Sequence, residues 1–374
     1  MEQENKQQNR RGLIGRIIVF LLSLLACVGL VAMALSVSSS YIDPEKFVWA
    51  SFFGLAFWVI LLFNVAVLAL MILMWSKRAW IAVLALLIAI PGLFKSFSYG
   101  KAVEGGEFRV MSYNVQLFRD FNGKRSGEEV ALDIAKLVHE KQPDVLCIQE
   151  FNIFKPKTSR NNCIKLFGDM AGLPYHYCHT KAYFCGNVIF SKYPLTPVED
   201  TTGFGEEKIY GAVAKVDAGK KGAFYVLCSH LASFQLTKEE ITAFSEPGNT
   251  KSDVQEYGKS IVSKLKHAYR ERSVEVRHML EDIPHDGRPM LLCGDLNDTP
   301  ISYTYQQIKA AGFTDGFVVA GQGIGHTYAG KLPLLRIDYI WGNERIKTTA
   351  FKRLRFKGSD HYPVMMEFKL NHGL

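Results

Sequence analysis

The chain has 374 residues, with 44 Lys and Arg against 36 Asp and Glu and a formal net charge of +8. Hydrophobic residues make up 48% of it, which excludes a disordered chain and leaves material for a sizeable core. The basic excess is weak grounds for nucleic-acid binding, because part of it flanks apolar runs and no dense Lys/Arg block occurs elsewhere.

Residues 1–97 carry eight Lys/Arg and four Asp/Glu among long apolar runs, and residues 98–374 carry the other 36 and 32. This contrast predicts a membrane region over 1–97 with about three helices, then one globular domain of enzyme size over 98–374. Leu13–Leu35 is apolar apart from Arg16, which lies near enough to one end to snorkel. Ala32-Met33-Ala34 resembles a cleavage site, but the apolar core is longer than a signal peptide's, so an uncleaved span is predicted. Phe47–Trp75 is long enough to span with tilt, with Asn64 as its most polar interior residue. Trp80–Phe94 is shorter and interrupted by Pro91. Trp49, Trp75 and Trp80 lie near span ends, where indole rings favour the interface. Lys6, Arg10, Arg11 and Arg16 place the N-terminus in the cytoplasm, and Lys77-Arg78 do the same for the second loop. Three spans starting inside leave the large domain outside the cytoplasm, although Lys95 and Lys101 pull faintly the other way.

From Glu107 onward short apolar strands alternate with helical stretches and polar turns. Strands are predicted at Phe108–Val115, Asp144–Gln149, Asn187–Phe190, Ala212–Val216, Phe224–Ser229, Met290–Cys293, Ile337–Trp341 and Val364–Leu370. Helices are predicted at Glu128–Glu140 and Lys251–Leu280, the latter with Arg270, Arg272 and Arg277 on solvated faces. Strands this frequent with few helices between them predict two packed sheets flanked by helices. Cys147, Cys228 and Cys293 sit inside strand patterns as buried thiols, and a disulfide is open among Cys163, Cys178 and Cys185. No zinc-type CxxC pair occurs.

The chemistry sits where strands end. Asn114, Glu150 and His230 each close an apolar run. Leu291-Leu292-Cys293-Gly294 delivers Asp295 and Asn297, two residues apart and able to face one pocket. A carboxylate beside a neutral amide suits an attacking water, which the anion can deprotonate and the amide can orient. Asp338 falls in Arg336-Ile337-Asp338-Tyr339, and Asp360-His361 precede the last strand. Hard oxygen ligands such as Glu150 and Asp360 suit magnesium or manganese better than zinc.

In order, Ser112-Tyr113-Asn114, Ile148-Gln149-Glu150, Ser229-His230-Leu231, Gly294-Asp295-Leu296-Asn297, Arg336-Ile337-Asp338-Tyr339 and Ser359-Asp360-His361 resemble the motifs of the endonuclease/exonuclease/phosphatase superfamily. That superfamily shares a fold with DNase I, abasic-site endonucleases, bacterial sphingomyelinases and inositol-polyphosphate 5-phosphatases. Each motif alone is weak; six in order over roughly residues 105–372 are strong. The resemblance implies a four-layer α/β sandwich of the DNase I type. It implies Glu150 as principal metal ligand with Asn114 beside it, and Asp360 assisting the metal or the histidine. By the same resemblance Asp295 activates or orients the water, Asn297 holds it or the phosphate, and His230 and His361 contact phosphoryl oxygens. Asp338 would orient His361. The formal general base stays open between these groups. Gly186-Asn187-Val188-Ile189-Phe190-Ser191-Lys192-Tyr193-Pro194 also resembles a family strand and turn, and Asn187 is a candidate substrate contact.

The expectation is a membrane-tethered phosphoesterase using Mg2+ or Mn2+ on nucleic acid, a phospholipid headgroup or a small phosphate ester. Tethering at the bilayer raises the lipid option. A loop insertion from Gln235 to Lys251 near the site would bear on the substrate. The rival is an inactive, membrane-tethered scaffold of the same fold, which the loss of a catalytic group would favour; all eight positions are filled. A transporter or sensor lacks support, because the only strongly charged residue in the spans is the peripheral Arg16.

Overall fold

The computed structural model describes residues 2–120, 123–178, 186–198, 211–237, 239–240, 251–330 and 334–371. The chain forms two compact units, Met1–Lys95 with Ile301–Tyr303, and Ser96–Pro300 with Thr304–Leu374.

The first unit is helical: Glu2–Ser38, Trp49–Leu55, Phe57–Leu73 and Trp80–Ser96. Two segments, Gly12–Tyr41 and Lys77–Ser96, are long and apolar enough to cross a membrane. The expected span over 47–75 is bent by 65° between Trp49–Leu55 and Phe57–Leu73, and three spans result if this pair counts as one. The break falls at Ala56, whose N–H still donates to Phe52 O at 3.1 Å and whose carbonyl accepts from Ile60 N at 2.9 Å. Since the backbone stays bonded on both sides, the bend needs no polar residue to mark it in an apolar run. Pro91 lies inside its helix and does not end it. Asn64 is buried, and its Nδ2 donates to Gly29 O at 3.1 Å and to Ile60 O at 2.9 Å. Gly29 leaves the room this needs, for a Cβ there would collide with the Asn64 amide.

The second unit holds two six-stranded sheets. Its strands are β1 Ser98–Tyr99, β2 Phe108–Asn114, β3 Val145–Gln149, β4 Tyr175–Cys178, β5 Val188–Ser191, β6 Leu195–Pro197 and β7 Gly211–Asp217. They continue with β8 Ala223–His230, β9 Met290–Asp295, β10 Thr314–Asp315, β11 Gln322–Gly323, β12 Asp338–Gly342, β13 Ile346–Arg353 and β14 Val364–Leu370. One sheet runs β10-β12-β9-β8-β7-β6 and the other β13-β14-β2-β3-β5-β4, while β1 pairs with β11 alone. Among the described strands only β2–β3 and β8–β9 are parallel; the other pairings are antiparallel. The facing sides of the two sheets share a core that includes Val110, Cys147, Ile189, Ala214, Val226, Cys293, Ile340 and Met366. On its other side the second sheet packs Met111, Leu146, Ile148 and Phe190 against Val130, Ile134, Val138 and Phe167 of the helices Gly127–Lys141 and Arg160–Ala171. Ser126 starts the first of these helices with a capping box to Glu129. The long helix Lys251–Asp282 buries Leu265, Ala268, Val276 and Met279, and Met279 Sδ accepts from Ser229 Oγ of β8. This is the four-layer α/β sandwich of the DNase I type.

Arg272 departs from the sequence expectation. It is fully buried on the helix Lys251–Asp282, between the rings of Phe234 and Tyr269 at 4.5 and 4.7 Å, with Nε 3.4 Å from Asp298 Oδ2. A charge in a helical repeat reads as solvated until its partners from other segments are known. Cys147, Cys228 and Cys293 are buried, and no disulfide joins the described cysteines; Cys185 lies outside the described residues. So does most of the predicted insertion after Gln235, including Pro247-Gly248-Asn249.

Candidate active site

Parallel pairing of β2 with β3 and of β8 with β9 makes strand ends coincide. Asn114 is level with Gln149, just before Glu150, and His230 is level with Asp295. Antiparallel β12 begins at Asp338, opposite Asp295. Two backbones turn sharply there: Glu150 at φ 54° and Asn297 at φ 50° occupy the left-handed region, where non-glycine residues are uncommon. Gly294 is required by crowding, since a Cβ there would collide with the Ser229 carbonyl of β8.

The buried Asn114 joins the sheets through its Nδ2, which donates to Glu150 Oε1 at 3.2 Å and Asp295 Oδ2 at 3.0 Å; its Oδ1 accepts from Gln116 N at 2.9 Å. Asp295 Oδ1 accepts from the Asn297 backbone N–H at 2.8 Å. Both histidines approach Asp295 Oδ2, His230 Nε2 at 3.7 Å and His361 Nε2 at 3.7 Å. Asn297 Nδ2 donates to Leu231 O at 2.9 Å and lies 3.1 Å from His230 Nε2. His230 Nε2 is also 3.7 Å from Glu150 Oε1. On the other side His361 Nδ1 lies 2.9 Å from Asp338 Oδ2. The hydroxyl of Thr327 accepts from the backbone N–H groups of Ile337 and Asp338, both at 3.0 Å, which holds the start of β12.

The electrostatics follow from burial and proximity. Burial disfavours a charged His361, but Asp338 and Asp295 outweigh it and hold the imidazole up to about 10, so it is a cation at neutral pH. Burial pushes the Asp295 carboxyl above its ordinary value, with His361 pulling it back. Asp360 is raised by burial, opposed by His361 and reinforced by the Glu150 charge.

These groups open onto a cavity of about 170 Å³, lined by Glu150, Asp295, Asn297, Asp360 and His361 together with Phe234, Leu236, Tyr328, Leu335 and Ile337. Among the described residues three carboxylates and no Lys or Arg line it, a donor set suited to a hard cation. Asp295, Asp338 and His361 also present ligand-type atoms within 4.8 Å of one another. Glu150 and Asp360, both partly open to the cavity, are two further groups that could hold a cation. Asn114 turns its amino group, not its oxygen, toward Glu150.

Eight of the nine residues singled out from sequence therefore meet in one place. Asn187, the ninth, is buried just before β5, has no partner for its Oδ1 among the described residues, and does not line the cavity. Beside Asp338 in the chain, Arg336 Nη1 donates to Asp315 Oδ2 at 2.7 Å, and its guanidinium lies 4.5 Å from the Phe317 ring. Sequence reasoning missed Tyr328, whose ring lies 5.5 Å from that of His361 and whose phenol is pushed up to about 12 by burial, Asp360 and Asp295. It also missed Thr327 and the apolar wall at Phe234 and Leu236. Only a Thr-Tyr pair ahead of Arg336-Ile337-Asp338 could have drawn attention to the first two.

The two packed sheets with their flanking helices define a class, the DNase I-like fold. The endonuclease/exonuclease/phosphatase family matches residues 111–361, and the chain belongs to it. Residues 16–96 match a domain of unknown function, DUF8431. The chain is similar to the uncharacterized protein YbhP of Escherichia coli (strain K12), 23% identical over 283 residues that cover 70% of this chain and 96% of YbhP. Among solved structures it is similar to an endonuclease/exonuclease/phosphatase from Beutenbergia cavernae at 17% identity, covering 71% of this chain and 72% of that one, with a TM-score of 0.48. It is also similar to the 3′ phosphatase NExo from Neisseria bound to product DNA hairpin, at 15% identity, 70% and 99% coverage and a TM-score of 0.47.

Proposed function

We propose that the chain is a divalent-metal-dependent phosphoesterase that hydrolyses a phosphate ester by in-line attack of water. Residues 98–374 form the catalytic domain, and residues 1–97 tether it to the membrane with the domain outside the cytoplasm. The observation that carries the reading is the convergence of both histidines on Asp295 Oδ2, with His361 backed by Asp338. Family members are in general phosphoester hydrolases, so the fold and the site point to one reaction class.

Glu150 and Asp360, with Asn114 beside them, would hold Mg2+ or Mn2+, which when bound neutralises charge on phosphate oxygens. Asp295 orients the water and takes its proton: two donors fix its carboxylate, and burial makes it a better base. The water oxygen bonds to phosphorus as the bond to the ester oxygen breaks, and the departing oxygen takes up a proton. His361 presents its Nε2–H toward a non-bridging oxygen while Nδ1–H donates to Asp338. His230 and Asn297 form the opposite wall and contact the water or the phosphoryl group.

The test is turnover by the full chain in neutral detergent, with and without Mg2+ or Mn2+, on supercoiled DNA, RNA, sphingomyelin, phosphatidylinositol phosphates and bis-p-nitrophenyl phosphate. Metal-dependent cleavage lost in Glu150→Ala is expected. Folded, metal-binding protein that cleaves none of them would overturn the reading in favour of the scaffold.

A further inference from the structure

A second cavity, of about 730 Å³, shares no lining residue with the catalytic one. Its size falls in the roughly 300–1,000 Å³ range of small-molecule sites. We propose that it binds an anionic phospholipid, with Lys352, Arg353 and Arg355 holding the phosphate and Phe97, Phe317 and Phe351 receiving the acylglycerol end. This does not depend on the catalytic reading.

Charge complementarity comes first. Among the described residues three cationic side chains line the cavity and no Asp or Glu does. Among the described residues none of the three pairs with a carboxylate, although the protein pairs many of its other arginines, including Arg109, Arg125 and Arg336. Arg353 is positioned rather than loose. Its Nη1 donates to His326 Nε2 at 2.7 Å and to His326 O at 3.1 Å, and its guanidinium lies 4.7 Å from the Tyr362 ring. Its Nε and Nη2 have no protein partner among the described residues, which leaves a preset fork for phosphate oxygens.

The apolar half of the cavity selects among phosphate-bearing ligands. Besides the three cations its polar side chains are Gln322 and His326, and its three phenylalanine rings suit an acylglycerol better than the sugars of a nucleic acid. Chain continuity points the same way. Phe97 is the first residue after Trp80–Ser96, the end of an apolar segment long enough to cross a membrane. Next to it Tyr99 is 86% exposed and Val103 is 63% exposed, and Val318 and Val319 expose their side chains on the short helix Gly316–Ala320. An amphiphile with an anionic head matches a cationic cavity bordered by exposed apolar side chains.

The test uses the full chain in neutral detergent micelles with a photoactivatable phosphatidylglycerol, and the labelled peptides are quantified by mass spectrometry. Label is expected on residues 317–326 and 350–355, and only weakly there from the matching phosphatidylcholine probe. Lys352→Glu with Arg355→Glu, both exposed and outside the core, is expected to cut that label by about tenfold or more, given roughly 1 kcal/mol per basic residue near anionic lipid. Label on the helices 12–96 stays constant and serves as the internal control. Equal labelling by phosphatidylcholine, or labelling unchanged in the double variant, would overturn the proposal. Loss of the label to millimolar inorganic phosphate or to duplex DNA would overturn it too, in favour of a free phosphate or a nucleic acid.

Discussion

At the scale of single residues, Asp295 and Asp338 carry similar charges in different settings. Asp295 faces the cavity between two imidazoles, and Asp338 lies behind one of them. Asp295→Asn keeps the shape and removes the base; turnover falls to background while the thermal midpoint holds, as kinetics and calorimetry on one preparation would show. Asp338→Asn leaves His361 without the charge that holds it protonated and oriented, and kcat falls by about 10²–10⁴ with a smaller change in KM. A KM effect without a kcat effect would instead make Asp338 a structural residue. The motif residues were legible because short polar groups at strand ends are rare against an apolar pattern. Tyr328 was not, because an aromatic residue in a loop looks the same whether it packs or lines a site.

At the scale of elements, the loop that walls the cavity at Phe234 and Leu236 is held by the helix Lys251–Asp282. Lys264 donates to Gln235 O at 3.1 Å and to Glu240 Oε2 at 2.8 Å, and Ser260 donates to Glu240 Oε1 at 2.6 Å. Burial pushes the Glu240 carboxyl up, but Lys264, Ser260 and the Thr237 N–H prevail and bring it down to about 2. A carboxyl depressed on folding stabilises the protein above its ordinary value of about 4.3 and loses that contribution as pH falls toward about 2. The advantage of wild type over Glu240→Gln in thermal midpoint is therefore constant near neutrality and shrinks across that acidic window. A difference that does not change with pH would contradict it. Arg272, buried between Phe234 and Tyr269 and facing Asp298, anchors the same loop by donating to Ala232 O at 2.9 Å. Arg272→Ala removes the buried cation that faces Asp298 and lowers the unfolding free energy by about 3–5 kcal/mol, read from denaturant midpoints.

At the scale of the whole molecule, two segments are apolar and long enough to cross a bilayer, and the catalytic fold follows them in the chain. If residues 1–97 tether the protein, the full chain stays in the membrane pellet through alkaline carbonate extraction. If the domain faces outward, protease added to sealed right-side-out vesicles digests it, whereas inverted vesicles protect it. The basic residues around the spans argue for the first result, and protection in right-side-out vesicles would reverse the orientation.

By itself the sequence determined the class of fold, most strand positions and eight of the residues that meet at the site. Alternation, turn residues and strand-end polar groups are local signals, and local signals survive in one dimension. The edge strand β13, Ile346–Arg353, was not among the predicted strands: Lys347, Lys352 and Arg353 interrupt its apolar pattern, and its ladder to β14 is set by a partner strand. Only in three dimensions does Asp338 meet His361, does Arg272 become buried, and do Lys352, Arg353 and Arg355 come to line one cavity with no carboxylate partner among the described residues. Each of these depends on which distant segments are brought within a few ångströms, and spacing along the chain carries no record of that.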